Sequence, residues 1–243
     1  MRSIKGQRAL VTGGAKRLGK AIALALADAG ADLAIHYHAS QAEAEATAKE
    51  VRAKGVNAVA LQVDLATPGA AVGLYERAVS ELGPIDILVN NASIFRPSKL
   101  ADCSEEELQA NIQLHAAAPF QLSRCLAAAG RPGVIINLLD TRIARHDPAY
   151  GAYCLSKRML ADQTVMLALE LAPDIRVNGV APGPILPPEG SRDGLMDELA
   201  ASVPLQTTGT PDDISQAVLF LAQSNFITGQ IIYVDGGSHI AHR

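Results

Sequence analysis

Short apolar runs rich in β-branched residues alternate along this chain with longer stretches whose apolar residues recur every three or four positions. The short runs fall at 9–12, 33–37, 59–63, 85–90, 134–138, 176–181 and 231–234, and each predicts a strand. Most are apolar throughout, as befits a parallel strand covered on both faces. The periodic stretches predict helices near 18–29, 41–54, 69–82, 105–129, 150–171 and 212–223. Gly30, Gly55 and Gly83 follow three of them, where a left-handed C-cap favours glycine. This alternation predicts an α/β protein with a doubly wound Rossmann fold, a seven-stranded, mostly parallel sheet with helices on both faces. No shift of composition divides 1–243 into more than one domain. The segment 182–211 breaks the rhythm. It is rich in proline and glycine and carries only a short helical patch at 195–202, which predicts a substrate loop or lid.

The 243 residues are 49% hydrophobic and 19% charged, enough apolar material for one sizeable core and too little charge for a disordered chain. Charged residues interrupt every apolar stretch well short of a membrane span, and the first 14 residues show no leader-like pattern. A soluble, cytoplasmic protein without a membrane partner is expected. The net charge of −4 and the dispersed basic residues argue against a nucleic-acid partner. Cys103, Cys125 and Cys154 are an odd, scattered set, which fits neither a disulfide framework nor a zinc site. His146, His239 and His242 likewise lack metal-ligand spacing, so no metal is expected.

Three stretches carry candidate chemistry. The first strand runs into Thr12-Gly13-Gly14-Ala15-Lys16-Arg17-Leu18-Gly19, a glycine turn opening a helix, where backbone N–H groups and the helix dipole can meet a pyrophosphate. The second strand ends in His36-Tyr37-His38-Ala39-Ser40, with no acid between Asp32 and Glu43 to hold a ribose 2′-hydroxyl. Lys16 and Arg17 beside a hydroxyl donor suit a 2′-phosphate instead, so NADPH is the expected cofactor. Tyr153 and Lys157 lie four residues apart on one helix face, and an ammonium beside a phenol is expected to lower its pKa.

With Asn90-Asn91-Ala92-Ser93, Tyr153-Cys154-Leu155-Ser156-Lys157, Pro182-Gly183 and the closing Asp235-Gly236-Gly237, the chain resembles the short-chain dehydrogenase/reductase family over nearly its whole length. The resemblance implies a cofactor site built from Gly13, Lys16, Arg17, Leu18, Gly19, Tyr37, His38, Ser40, Asp64, Leu65, Asn91, Ala92, Ser93, Lys157, Pro182 and Gly183. Asp64 would meet the adenine, and is equally suited to capping a helix. Most of the family has serine where this chain has Asp140. That aspartate, with Arg17 in the glycine turn and the His-Tyr-His stretch, resembles the pteridine reductases and the related dihydromonapterin reductases. Phe95 then stands where those enzymes stack a pterin, or else packs under its loop. The resemblance implies Asp140, Tyr153 and Lys157 as catalytic residues and Ser93, Phe95, Asp140 and Tyr153 as substrate contacts. Tyr153 or Asp140 would supply the proton, and Lys157 would hold the nicotinamide ribose.

Two positions depart from that pattern. Ala39 replaces an arginine, and His115 stands at a family asparagine thought to hold a water beside the lysine, while Asn111 lies a turn earlier. His115 either serves that relay or is an ordinary helix residue. A homotetramer is implied, with Arg243 or His242 either reaching a neighbouring site or forming a frayed tail. Two other functions remain open: an NADPH-dependent carbonyl reductase of the 3-oxoacyl-thioester or alcohol dehydrogenase type, and a non-catalytic NADP-sensing protein.

Overall fold

A computed structural model describes residues 1–188 and 190–241. Seven strands form one sheet: β1 (Arg8–Val11), β2 (Asp32–Tyr37), β3 (Ala58–Gln62), β4 (Ile87–Asn90), β5 (Gly133–Leu138), β6 (Ile175–Pro182) and β7 (Ile231–Val234). Their order is β3-β2-β1-β4-β5-β6-β7, and every pairing is parallel. The helices are α1 (Arg17–Asp28), α2 (Gln41–Arg52), α3 (Ala70–Leu82), α4 (Glu105–Ile112), α5 (Ala118–Ala128), α6 (Gly151–Glu170), α7 (Leu195–Ser202) and α8 (Pro211–Gln223). Gly30, Gly55 and Gly83 all have positive φ after α1, α2 and α3.

Successive strand residues point to opposite faces, which explains why the strands are apolar throughout. Ala9, Val11, Ile87, Val89, Val134 and Ile136 pack with Ile22, Leu26, Ile214 and Val218 on one face. Leu10, Leu88, Ile135 and Val177 pack with Leu74, Leu122 and Leu167 on the other. The chain winds outward in opposite directions from β1 and β4. In an open α/β sheet that reversal leaves a crevice at the C-terminal ends of the strands, and the residues described below collect there.

The expected helix over 105–129 is instead α4, a π-helical turn over Gln113–Ala117, and α5. Its apolar pattern is continuous, so periodicity does not reveal the break. Pro119 has no N–H to donate to the carbonyl four residues back, and the Ala118 N–H reaches back to Gln113 O. The short helix expected at 195–202 is α7, which among the described residues is the one helix or strand between the end of β6 and the start of α8. Among the described residues, no helix is long and apolar enough to cross a membrane.

Candidate active site

The glycine turn is held from three sides. Thr12 Oγ1 accepts the N–H groups of Asn91 and Ala92 at 2.9 and 3.0 Å, and Asn91 Nδ2 donates to Thr12 O and Gly13 O. His36, at the end of β2, accepts the Gly13 N–H at Nδ1 (3.0 Å) and lies 3.0 Å from Val63 O through Nε2. The Gly13 N–H can only donate, so Nδ1 is the bare nitrogen and Nε2–H donates to Val63 O. A Cβ at Gly19 would lie 2.0 Å from Gly13 O, which excludes a side chain there, and one at Gly13 would lie 3.0 Å from Ala92 Cα on a backbone of positive φ, where a side chain is strained. Arg17 occupies the motif's second glycine position with φ of 54°, a left-handed conformation unusual for a residue with a Cβ.

The N-terminus of α1 has no side-chain cap and no acid in its first turn. It carries Lys16 and Arg17, both exposed, the reverse of what a helix dipole favours unless an anion sits there. The turn therefore fits a phosphorylated dinucleotide. Arg17 Nη2 also donates to Pro187 O at 2.6 Å, tying the turn to the 182–211 loop. Leu18 packs against the core beside the turn.

The other cofactor candidates divide by exposure. His38 is exposed and Ser40, at the head of α2, is half-buried. Tyr37 is buried with Ala15 and Ala44, so it supports the turn by packing. The Asp64 carboxylate accepts the Ala66 N–H at 2.9 Å, the local capping role, and Leu65 is buried beneath it. Pro182 ends β6. Gly183 passes so close to the chain at Asp235 that a Cβ would lie 2.6 Å from Asp235 Cα.

Asp140, Tyr153 and Lys157 come together at the C-terminal end of β5. Tyr153 Oη donates to Asp140 Oδ2 at 2.9 Å, and Lys157 Nζ donates to Leu138 O at 2.7 Å, 5.8 Å from the Tyr153 ring centroid. Burial pushes the Lys157 ammonium down to about 8, against the pull of Asp140. Tyr153 moves opposite to the sequence expectation. Burial and the Asp140 carboxylate raise its pKa well above the ordinary phenol range. The i,i+4 spacing brings Lys157 near the ring, but the charge that hydrogen-bonds the phenol is Asp140. Tyr153 is thus a protonated donor.

Phe95 lies half-buried on the loop after β4 and stacks on Tyr150, with centroids 4.3 Å apart and planes within 7°, and meets the Tyr153 ring edge-on at 4.9 Å. Ser98 forms a parallel bridge with Tyr150, so the Phe95 loop and the start of α6 form one wall. Arg142 completes it. Its guanidinium lies 5.0 and 5.2 Å from the Phe95 and Tyr150 centroids, 3.4 Å from Asp140 Oδ1, and donates to Asp147 Oδ2 at 3.0 Å. Asp140 also accepts the Arg142 N–H at 2.7 Å, capping the 3₁₀ turn Thr141–Ala144. Sequence reasoning singles out neither Arg142, Asp147 nor Tyr150. The signal for Arg142 is its charge two residues after Asp140; the Phe95–Tyr150 contact spans two loops that no local pattern relates.

His115, expected either to serve the relay beside the lysine or to be an ordinary helix residue, is buried in the π-helical turn. Both its ring nitrogens bond within the protein, to the Ser93–Ile94 loop and to Ser156. Asn111, one turn earlier, donates to Glu107 O. Ser93 itself is exposed. His239 packs on Tyr233 and pairs with Asp235, which also accepts from Thr141 Oγ1, next to Asp140. His242 and Arg243 lie outside the described residues.

A glycine turn opening α1 and a Tyr–Lys pair on α6, at opposite sides of one crevice, are the two halves of a nucleotide-dependent oxidoreductase site. The chain belongs to the short-chain dehydrogenase/reductase family. The family model described as enoyl-(acyl carrier protein) reductase matches residues 13–239, and the protein is an oxidoreductase of that family. It is 35% identical to a 3-oxoacyl-[acyl-carrier-protein] reductase FabG of Staphylococcus aureus, covering 96% of this chain and 98% of that one. Among solved structures it is similar to FolM alternative dihydrofolate reductase 1 of Brucella canis complexed with NADP, at TM-score 0.95 and 36% identity, covering 100% of this chain and 98% of that one. It is also similar to the angucycline C-6 ketoreductase LanV with bound NADP, at TM-score 0.91 and 29% identity, over 99% and 98% of the two chains.

Proposed function

We propose that this enzyme is an NADPH-dependent pteridine reductase acting on dihydropterin- or dihydrofolate-type substrates. The observation that carries the proposal is the Tyr153–Asp140 hydrogen bond, 2.9 Å long, beside the Phe95 ring. A flat heteroaromatic substrate favours an aromatic wall, and a C=N bond is reduced by a hydride at carbon and a proton at nitrogen. NADPH supplies the hydride when bound. Gly13, Lys16, Arg17, Leu18, Gly19, Tyr37, His38, Ser40, Asp64, Leu65, Asn91, Ala92, Ser93, Pro182 and Gly183 would hold it, with Lys157 on the nicotinamide ribose. Lys16 and Arg17, without an acid at the end of β2, support the phosphorylated form of the cofactor.

The chain's own residues handle the proton. Burial keeps Tyr153 protonated, so its hydroxyl is a donor throughout the neutral range. Asp140 either orients that hydroxyl or, once protonated, delivers the proton itself, and its carboxylate suits the N–H edge of an amidine-like ring. Arg142 fixes Asp140 from the other side. Ser93 and Phe95 would contact the pterin face.

The second reading is an NADPH-dependent carbonyl reductase. The Tyr153–Lys157 pair and the relationship to 3-oxoacyl reductases support it. Against it stands Asp140 in place of the hydroxyl that would polarise a ketone. The Asp140→Ser variant separates the two. Pterin reduction is expected to fall by about a hundredfold or more; a variant that keeps full pterin activity contradicts the assigned role. Titration should show NADPH binding tighter than NADH, and equal affinities would contradict the cofactor assignment.

We also propose a homotetramer. Leu155, Met159, Val165, Met166 and Leu169 expose an apolar strip along α6, which supports burial against a second copy.

A further inference from the structure

Besides the Ser98 backbone bonds to Ala149 and Gly151, the loop that carries Ser93 and Phe95 is joined to the catalytic helix through a buried ring. His115 sits in the π-helical turn Gln113–Ala117 with 1% exposure. The Ile94 N–H donates to its Nε2 at 3.1 Å, and Ser93 Oγ lies 3.0 Å from the same nitrogen. Its Nδ1 lies 2.8 Å from Ser156 Oγ, and the Ser156 hydroxyl donates to Tyr153 O at 2.8 Å. A backbone N–H can only donate, so Nε2 is the bare nitrogen and the proton of the neutral ring sits on Nδ1. Every bond then runs one way, from the Ile94 N–H into the ring, from Nδ1–H to Ser156, and from Ser156 to the Tyr153 carbonyl. Burial and the nearby Lys157 ammonium hold the imidazole well below its ordinary range, which keeps it neutral. The Tyr153 ring itself is bracketed edge-on by Phe95 at 4.9 Å and by His115 at 5.4 Å. A π-helical turn at this point is consistent with use, since such turns recur at functional sites.

We propose that His115 is a positioning residue, a neutral latch that sets the Ser93–Phe95 loop in register with Tyr153 through Ser156 and so fixes where a substrate against Phe95 meets the proton donor. The proposal rests on Phe95 and Tyr153 lining the substrate site. It predicts different behaviour from two amide substitutions. In His115→Gln the amide reaches toward the Nε2 position and keeps an acceptor for Ile94. In His115→Asn the amide lies near Nδ1 and loses that acceptor.

Three readouts on the enzyme test this. Amide hydrogen exchange at Ile94 should speed up roughly tenfold in His115→Asn and stay near wild type in His115→Gln, the change expected from one lost hydrogen bond. Steady-state kcat/KM for the reduced substrate should fall about tenfold in His115→Asn and recover in His115→Gln. Unchanged Ile94 exchange and kcat/KM in His115→Asn would overturn the proposal, as would a His115→Gln variant no better than His115→Asn. Should the His115 variants fail to fold, spectra of the unsubstituted enzyme judge the latch. Nitrogen-15 histidine spectra of the wild-type enzyme should show an Nδ1-protonated neutral ring; a proton on Nε2 would overturn the proposal. Exchange and spectra need no substrate, so they judge the latch even if the enzyme reduces a thioester and not a pterin.

Discussion

Tyr153 and Asp140 share one hydrogen bond, and its direction sets the chemistry open to the site. The spacing of Tyr153 and Lys157 is legible in the sequence, as is the aspartate ahead of them. Their electrostatics are not, because burial and the approach of Asp140 are properties of the folded crevice. His36 shows the same limit. It precedes Tyr37 and His38, which read as cofactor contacts, and the structure uses its ring to hold the turn. The consequence is a pH-dependent stability. Burial lowers the His36 pKa from 6.5 to about 4, so between those values the unfolded chain binds the extra proton. Stability is then unaffected above about pH 6.5 and falls as the pH drops toward 4, by up to about 3 kcal/mol from this group. Urea unfolding at about pH 7 and about pH 5 checks this. His36→Gln should flatten the difference and cost about 1 kcal/mol at neutral pH through the lost Gly13 bond. An unchanged pH slope in that variant would contradict the assignment.

Elements are more legible in the sequence than their joints. Seven strands and the helices between them are written in the apolar runs, and the ends differ by a residue or two, the ordinary fraying of such assignments. The break at Gln113–Ala117 is not written there, and with it goes the inward aim of His115. The start of α1 shows the opposite case, where a departure from a motif is visible in sequence and has a backbone consequence. Arg17 has φ of 54° at a glycine position, a conformation that costs a residue with a Cβ roughly 1–2 kcal/mol. Arg17→Gly should therefore leave stability unchanged or raise it by about 1 kcal/mol. The same change should weaken NADPH binding about tenfold or more by removing a charged donor. Thermal unfolding and cofactor titration measure the two effects, and a variant that loses stability while keeping affinity would contradict both.

For the whole molecule, the reversal of strand order between β1 and β4 places the glycine turn and the catalytic helix on either side of one crevice. The alternation of elements is enough to predict that much. Assembly is the less legible part, because an apolar helix face reads the same whether it meets the core or a second copy. The structure leaves Met166 and Leu169 at 59% and 79% exposed, which separates that strip from the core. If the proposed tetramer forms through this strip, replacing both with glutamate should shift light-scattering mass toward smaller species; an unchanged mass would contradict that role for the strip. Substrate choice is read from NADPH oxidation by the wild-type enzyme with dihydrobiopterin, dihydrofolate and an acetoacetyl thioester in parallel. Turnover of a pterin or folate without turnover of the thioester is the predicted result, and turnover of the thioester alone would contradict it.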